Sequence, residues 1–241
     1  MIKLIASDLD GTLLQEGTMD INPEIYDIIH KLKAKGIVFA AVSGREYDSI
    51  ARVFAPVKDD IYFIAGNGSL IYDIQNDQIM YEKFLNKQKV LEIAGICEEN
   101  SISYNIYTEE TIIAKQLKHN VLYYYKENLK KEEKNKTSIT LVEDIIDYIK
   151  SSDNNKFLKI TICDETKSIF NSVLRKLGTV SDIDILDVSH MSRKTIRQGT
   201  EDVDIEYFYT EISIKGADKW TAIEYLINFL NIEKEEVIAI R

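Results

Sequence analysis

Two aspartates one residue apart, Asp8 and Asp10, follow an apolar run at residues 2–7. Alternate residues of an extended chain point to the same side, so the two carboxylates are expected to face each other at the end of a buried strand. Like charges this close resist joint ionisation unless a cation or a shared proton compensates them. Mg²⁺ is the expected cofactor at Asp8 and Asp10, because it takes one or two carboxylates and completes its octahedron with phosphate oxygens and water.

The segment that begins at Asp8 reads DLDGTL and follows a short hydrophobic strand. It resembles the first motif of the haloacid dehalogenase (HAD) superfamily, whose phosphatases use an aspartate nucleophile. The resemblance implies that Asp8 is this nucleophile and that Asp10 is the acid and base of the reaction. The alternative is a polar turn that only ends a strand.

The composition of the 241 residues is that of a globular protein, with 45% hydrophobic and 29% charged residues. The net charge of −10 disfavours a nucleic-acid partner, since a polyanion would be repelled. No stretch approaches the ~20 apolar residues that span a bilayer, and residues 2–7 are too short for a signal peptide. We expect no membrane partner, a cytoplasmic location, and a monomer or weak homodimer.

The two cysteines, Cys97 and Cys163, have no neighbours at metal-ligand spacing and are predicted to be buried thiols in a reducing compartment. The three histidines are scattered along the chain, which gives little support to a histidine-based metal site or triad.

The first third of the chain has the pattern of alternating strands and helices. Asn22 and Pro23 are typical of a helix N-cap and first turn, and Gly36 of a helix end. The apolar runs on either side predict buried parallel strands, and therefore a doubly wound α/β core with a mostly parallel, Rossmannoid sheet. The predicted strands are residues 2–7, 37–42 and 61–65, and the predicted helices are 23–35 and 46–54.

Polar residues follow each of these three strands: Asp8 and Asp10, then Ser43, Gly44 and Arg45, then Asn67 in a Gly-Asn-Gly turn. Ligands of doubly wound sheets bind at the carboxyl ends of the strands, so these residues are expected to converge. Ser-Gly-Arg resembles the second HAD motif, and the Asn-Gly element resembles the Cof-type branch of HAD phosphatases. The resemblance implies that Ser43, Gly44 and Arg45 bind the phosphate, with Asn67 in support. The alternatives are Ser43 as an ordinary helix N-cap and Asn67 as an ordinary turn.

The pattern of predicted elements changes after residue 82, where short strands alternate with amphipathic helices. We predict a core domain formed by residues 1–82 and 214–241 and an inserted α+β cap domain at residues 83–213. This organisation resembles the type IIB HAD architecture. A basic cluster of Arg193, Lys194 and Arg197 either contacts an anionic substrate or is part of a solvated hairpin.

Lys219 stands in a Lys-Gly-x-Asp-Lys pattern before a predicted helix at residues 221–230. The resemblance assigns it to the third HAD motif, which is a phosphate-binding lysine that serves catalysis. Lys215 is the second choice for this role, and two solvated lysines before a helix are the alternative.

The apolar run at residues 237–240 predicts a further buried parallel strand. In the resembling family, Gly-Asp and another acidic residue follow this strand as the fourth motif, whose carboxylate completes the metal shell. The sequence reaches Arg241 without them. The predicted function is a Mg²⁺-dependent phosphatase that hydrolyses small phosphorylated metabolites of the sugar phosphate class through an aspartyl-phosphate. Three alternatives stay open: a phospholigand-binding protein of weak or no activity, a fragment of a longer enzyme, and a phosphosugar mutase.

Overall fold

The computed structural model describes residues 1–14, 21–73, 75–133, 136–186 and 192–241. The chain forms two compact units. The first unit comprises Met1–Lys83 and Gly216–Arg241, and the second comprises Phe84–Lys215.

The described residues form strands and helices in alternation through most of the chain. The strands are β1 (Leu4–Asp8), β2 (Val38–Val42), β3 (Ile61–Ala65), β4 (Leu70–Asp73), β5 (Gln78–Glu82), β6 (Ser103–Tyr107), β7 (Ile112–Ala114), β8 (Ile139–Leu141), β9 (Lys159–Asp164), β10 (Ile183–Ile185), β11 (Ser192–Gln198), β12 (Glu201–Ile214) and β13 (Val237–Ile240). The helices are α1 (Pro23–Ala34), α2 (Tyr47–Val53), α3 (Lys87–Glu99), α4 (His119–Asn128), α5 (Ile145–Ser151), α6 (Lys167–Leu177) and α7 (Lys219–Leu230).

The sheet of the first unit has the order β13-β1-β2-β3-β4-β5. The strands from β13 to β3 run parallel, and β4 and β5 form an antiparallel hairpin at one edge. Because β1, β2 and β3 are adjacent and parallel, their carboxyl ends lie at the same edge of the sheet. The predicted convergence of the three strand ends, and the predicted doubly wound α/β core, are confirmed.

Capping residues mark both ends of helix α1 in the first unit. The side chain of Asn22 accepts a hydrogen bond from the Glu24 N–H at 3.0 Å, with Pro23 in the first turn of α1. Gly36 has φ +71°, which favours glycine just beyond the helix. Helix α7 buries one face in the apolar core of this sheet, in a cluster that includes Leu4, Ile223 and Leu226.

The second unit contains a sheet of the order β10-β12-β9-β6-β7-β8, with β11 paired to β12. Pairing is antiparallel except between β7 and β8. Helices α3, α5 and α6 contribute to one hydrophobic core with the sheet, in which Ile106, Ile160 and Ile212 are fully buried. Residues at the alternate positions, such as Asn105 and Thr161, are buried and polar. The second unit is therefore an α+β structure, in which the buried polar residues share their sheet face with a smaller apolar cluster of Ile112, Ala114 and Val121.

Two strands of the second unit were not predicted from the sequence as separate elements, namely β8 and β11. The strand predicted at residues 183–188 is observed as β10, and residues 187–188 lie outside the described residues. Cys97 and Cys163 are buried free thiols, as predicted. Among the described residues, no helix has the length and apolarity needed to cross a membrane.

Candidate active site

Asp8 and Asp10 lie at the end of β1 in unequal surroundings. Asp8 is the last residue of the strand and its side chain is 18% exposed, whereas the side chain of Asp10 is 58% exposed. The intervening Leu9 is fully buried, and its carbonyl accepts the N–H groups of Thr12, Leu13 and Leu14. This buried leucine anchors the turn and separates a shielded carboxylate from a solvent-facing one.

The carboxylate of Asp8 is held at both oxygens. Its Oδ1 accepts the N–H of Leu9 at 2.8 Å, and its Oδ2 accepts a hydrogen bond from Lys219 Nζ at 2.9 Å. The lysine is the first residue of α7 and its side chain is 36% exposed. Lys215, the second choice from the sequence, belongs to the second unit. The structure therefore places Lys219 beside the predicted nucleophile.

Asp218 fixes the start of α7 and so the position of Lys219. Its Oδ1 accepts the N–H groups of Trp220 and Thr221 at 2.9 Å, and its Oδ2 accepts the hydroxyl of Thr221 at 2.6 Å. Burial alone would raise the pKa of Asp218, but these hydrogen bonds outweigh it and hold the pKa below its usual value. A charged N-cap is expected to stabilise this end of the helix.

Gly68 packs against this helix start from the loop after β3. Its φ is +101°, and a Cβ on it would lie 2.2 Å from the carbonyl oxygen of Asp218. Only glycine allows this close approach. The loop after β3 therefore locates the first turn of α7, which carries Lys219.

Ser43 is fully buried at the end of β2. Its Oγ accepts the N–H of Arg45 at 3.2 Å, and its backbone accepts the N–H of Asn67 at 2.9 Å. Because α2 begins at Tyr47 with Glu46 as its N-cap, the alternative of Ser43 as a helix N-cap is wrong. The Ser43 hydroxyl instead holds a turn, and a hydroxyl that accepts there can still donate to a ligand.

Gly44 and Asn67 lie against each other. A Cβ on Gly44 would lie 2.7 Å from Asn67 Oδ1, so a larger residue there would make the Asn67 side chain shift. Asn67 has φ +58°, which asparagine tolerates better than most residues. The loops after β2 and β3 are thereby packed together at the predicted phosphate site.

The guanidinium of Arg45 forms a fork with the carboxylate of Asp10. Its Nε donates to Oδ2 at 3.0 Å and its Nη2 donates to Oδ1 at 2.6 Å. The backbone carbonyl of Arg45 accepts the N–H of Gly66 at 2.8 Å. The site thus contains two carboxylates, each paired with one cation from a different loop or helix.

The two carboxylates suit Mg²⁺ by donor type and number. A carboxylate has about four acceptor sites, and Asp8 and Asp10 each use two in the hydrogen bonds described above. Both therefore keep capacity for a hard cation that takes its other ligands from phosphate and water. Across the described parts of the chain, no group of three or more His, Cys, Asp or Glu side chains gathers to form a metal site.

The basic cluster at β11 is paired within the second unit. Arg193 forms an ion pair with Glu206 and Arg197 with Asp202, both across the β11–β12 ladder. The ammonium of Lys194 lies 5.0 Å from the ring centre of Tyr123. These contacts match the hairpin interpretation of the sequence.

Two residues that shape the site were not predicted, Gly68 and Asp218. Asp218 precedes an apolar helical pattern, which is an N-cap signal, and Gly68 follows an asparagine in a glycine-rich turn. The contact between them joins positions far apart in the chain, and no local pattern indicates it.

Comparison with known proteins places the chain in a family. A family model described as haloacid dehalogenase-like hydrolase matches residues 5–240. The Bacillus subtilis strain 168 protein YxeH is 25% identical over 244 residues, which cover 100% of this chain and 80% of YxeH. Shorter alignments with two Buchnera aphidicola proteins span 38% and 36% of those relatives.

Solved structures show the same fold. A haloacid dehalogenase-like hydrolase from B. subtilis has a TM-score of 0.74 at 19% identity, covering 99% of this chain and 82% of that one. The HAD subclass IIB sugar phosphatase BT4131 has a TM-score of 0.65 at 18% identity, covering 98% and 79%. With residues 5–240 matched, the chain belongs to the haloacid dehalogenase-like hydrolase family.

Proposed function

We propose that this protein is a Mg²⁺-dependent phosphomonoesterase acting on small phosphorylated metabolites of the sugar phosphate class. The observation that carries the proposal is the contact of Lys219 with Asp8, 2.9 Å apart, beside the packed loops of Ser43 and Gly44. The carboxylate of Asp8 is the nucleophile that would attack phosphorus, and the ammonium group of Lys219 lies where it can bind the phosphoryl group. The sugar phosphate class is proposed because BT4131, which shares the fold, is named a sugar phosphatase.

The reaction would proceed in two displacements. In the first, an oxygen of Asp8 attacks phosphorus, the ester bond breaks, and Asp10 gives a proton to the departing oxygen. In the second, Asp10 takes a proton from water, the water oxygen attacks the phosphorus of the aspartyl-phosphate, and Asp8 leaves as a carboxylate. Ester and water are consumed, and alcohol and inorganic phosphate are released.

The charge on the phosphoryl oxygens must be neutralised throughout. Lys219 would move its hydrogen bond from Asp8 to a phosphoryl oxygen, while the Ser43 hydroxyl and the Gly44 N–H donate to the others, with Asn67 supporting the loop. Mg²⁺, when held by Asp8 and Asp10, would supply further positive charge to the same oxygens. Of these groups, Lys219 would have to exchange its partner, whereas the Gly44 N–H belongs to a packed backbone turn.

The test compares the wild-type protein with Asp8→Asn on p-nitrophenyl phosphate, with Mg²⁺ and after chelation with EDTA. We expect Asp8→Asn to lower kcat by at least about a thousandfold, because the nucleophile is lost. Chelation should also abolish the wild-type activity. The matched control is Asp27→Asn on the exposed side of α1, which should keep full activity.

Two outcomes would contradict the proposal. Activity that survives Asp8→Asn would overturn the nucleophile assignment. A wild-type protein that binds p-nitrophenyl phosphate without hydrolysing it, with or without Mg²⁺, would favour a phospholigand-binding protein instead.

A further inference from the structure

The fork between Arg45 and Asp10 joins one guanidinium to both oxygens of one carboxylate. Two different nitrogens of Arg45 donate to the two different oxygens of Asp10, at 3.0 and 2.6 Å. A bidentate pair of this kind fixes the plane of the carboxylate as well as its distance. A single ammonium at the same place would fix neither to the same degree.

The backbone of Arg45 is itself held by its neighbours. Its N–H donates to the Ser43 Oγ at 3.2 Å, and its carbonyl accepts the Gly66 N–H at 2.8 Å. Its side chain is 21% exposed, against 58% for Asp10. The position of Arg45 is thus fixed by its backbone contacts, and its guanidinium can in turn restrict the side chain of Asp10.

Asp10 lies just beyond the end of β1, where its backbone forms an isolated β-bridge with Leu14. It precedes Gly11, whose φ is +77°, and a Cβ on that glycine would meet no atom within 4 Å. Over the described residues, only Arg45 donates a hydrogen bond to the Asp10 carboxylate. A short, largely exposed side chain in such a turn would otherwise sample several rotamers.

We infer that Arg45 is a positioning residue for Asp10, and that it acts on the reaction through this carboxylate rather than as a ligand of the phosphate. The inference rests on the proposed function and revises the phosphate-binding role that the sequence suggested for Arg45. Binding of the phosphate is then the task of Ser43, Gly44 and Lys219. Proton transfer needs its acid or base within hydrogen-bond reach of the substrate, so an unheld Asp10 would be less efficient.

A residue that acts through another loses its effect when the other is removed. The experiment therefore measures kcat/KM for Arg45→Met, Asp10→Asn and the double variant, with p-nitrophenyl phosphate and glycerol phosphate as substrates. Glycerol is the poorer leaving group and depends more on protonation by Asp10. Inhibition by inorganic phosphate is measured for each variant, as a report on phosphate binding.

We expect Arg45→Met to lower kcat/KM for glycerol phosphate by about 10- to 100-fold, part of the usual contribution of a general acid. The loss with p-nitrophenyl phosphate should be several times smaller. In the Asp10→Asn background, Arg45→Met should change the remaining activity by less than about twofold, since coupled residues are not additive. Inhibition by phosphate should stay within about twofold of the wild type, because the phosphate ligands are intact.

Arg45→Lys and Arg52→Met complete the set. Arg45→Lys keeps the charge but cannot form the fork, and it should fall between the wild type and Arg45→Met, which also guards against misfolding of the methionine variant. Arg52 lies on α2 with 42% of its side chain exposed, and Arg52→Met should leave the activity unchanged.

Equal losses with both esters, additive losses in the double variant and weakened inhibition by phosphate would overturn the inference, since these mark a phosphate ligand. That result would leave the proposed function standing. A wild-type protein that hydrolyses neither ester would overturn the proposed function, and the inference with it.

Discussion

The polar residues of the two units differ in burial and in the kind of partner they have. In the buried network of the second unit, Asn105 Nδ2 donates to Asn120 Oδ1 at 3.1 Å, and Asn120 Nδ2 donates to Tyr107 Oη at 2.7 Å. Both asparagines are buried and uncharged. At the strand ends of the first unit, the side chains of Asp8 and Asp10 are 18% and 58% exposed and lie in ion pairs with Lys219 and Arg45.

This difference distinguishes the hydrogen-bond network that supports the fold from the ion pairs of the candidate active site. A buried neutral group that loses its partner has nothing to replace it, so the loss is costly. A partly exposed ion pair contributes little to stability and can exchange one partner for a ligand of the same charge. At the strand ends the ion pairs can therefore yield to a ligand, whereas the buried neutral amides of the second unit contribute to folding.

The largest effect is expected where the site depends on tight packing, at Gly68. Gly68→Ala would place a Cβ 2.2 Å from the carbonyl oxygen of Asp218 at φ +101°. We expect unfolding to become easier by more than about 2 kcal/mol, because the loop and the start of α7 must separate. Phosphatase activity should fall at least about tenfold through displacement of Lys219.

Gly36→Ala is the matched control for this prediction. Gly36 also has a positive φ, of +71°, but a Cβ there would meet no atom within 4 Å. We expect only the backbone cost of about 1 kcal/mol and unchanged kcat. Equal effects of the two variants in urea unfolding and in the activity assay would contradict the assigned packing role of Gly68.

The next largest effect is expected in the buried hydrogen-bond network of the second unit. Asn120→Ala removes one hydrogen-bond partner each of Asn105 and Tyr107 inside the buried network. We expect a loss of about 2 to 3 kcal/mol in the free energy of unfolding, because two buried polar groups each lose a hydrogen bond. Urea unfolding followed by circular dichroism measures it.

Asn171→Ala, at an exposed position of α6, serves as the control and should change stability by less than about 0.5 kcal/mol. If Asn120→Ala were equally mild, the buried amides would not be structural, and the contrast between the two units would fail.

The smallest effect is a pH dependence in the second unit. His119 is buried, and its Nε2 lies 2.8 Å from Glu165 Oε1. Burial is the main reason that the pKa of His119 lies below its usual value; the nearby Lys118 lowers it further, and Glu165 opposes the change. Below about pH 6.5 the unfolded chain therefore binds a proton that the folded chain resists, so this part of the stability is lost as pH falls.

His119→Asn removes this titration and suits the left-handed backbone, since φ is +50°. The free energy of unfolding should fall less between about pH 7.5 and pH 5.5 in the variant than in the wild type. An identical fall in both proteins would show that His119 does not contribute to it.

Much of the fold follows from local patterns in the sequence. The bounds of β3 and β13 coincide with the predicted ones, because caps, glycines and hydrophobic periodicity all act over a few residues. β11 was not predicted as a strand because its residues are mainly charged or polar. Its stability comes from pairing with β12, where opposite charges face each other across the ladder.

The same limit applies to the site. Asp8, Ser43 and Gly44 could be assigned from short motifs, since each motif follows directly on a strand. The contact of Gly68 with Asp218 and the fork from Arg45 to Asp10 join distant positions, and they depend on how the loops pack. Local propensity carries no information about such pairs.

The second unit interrupts the first between Lys83 and Gly216. These two residues meet, since a Cβ on Gly216 would lie 2.9 Å from the Lys83 Nζ. The interruption thus has the topology of a closed loop, whose entropy of closure rises by only about 0.6 kcal/mol for each doubling of its length. Because this cost depends so weakly on length, we expect inserted segments of very different size to be tolerated at this junction in evolution, with little change in the free energy of unfolding of the first unit.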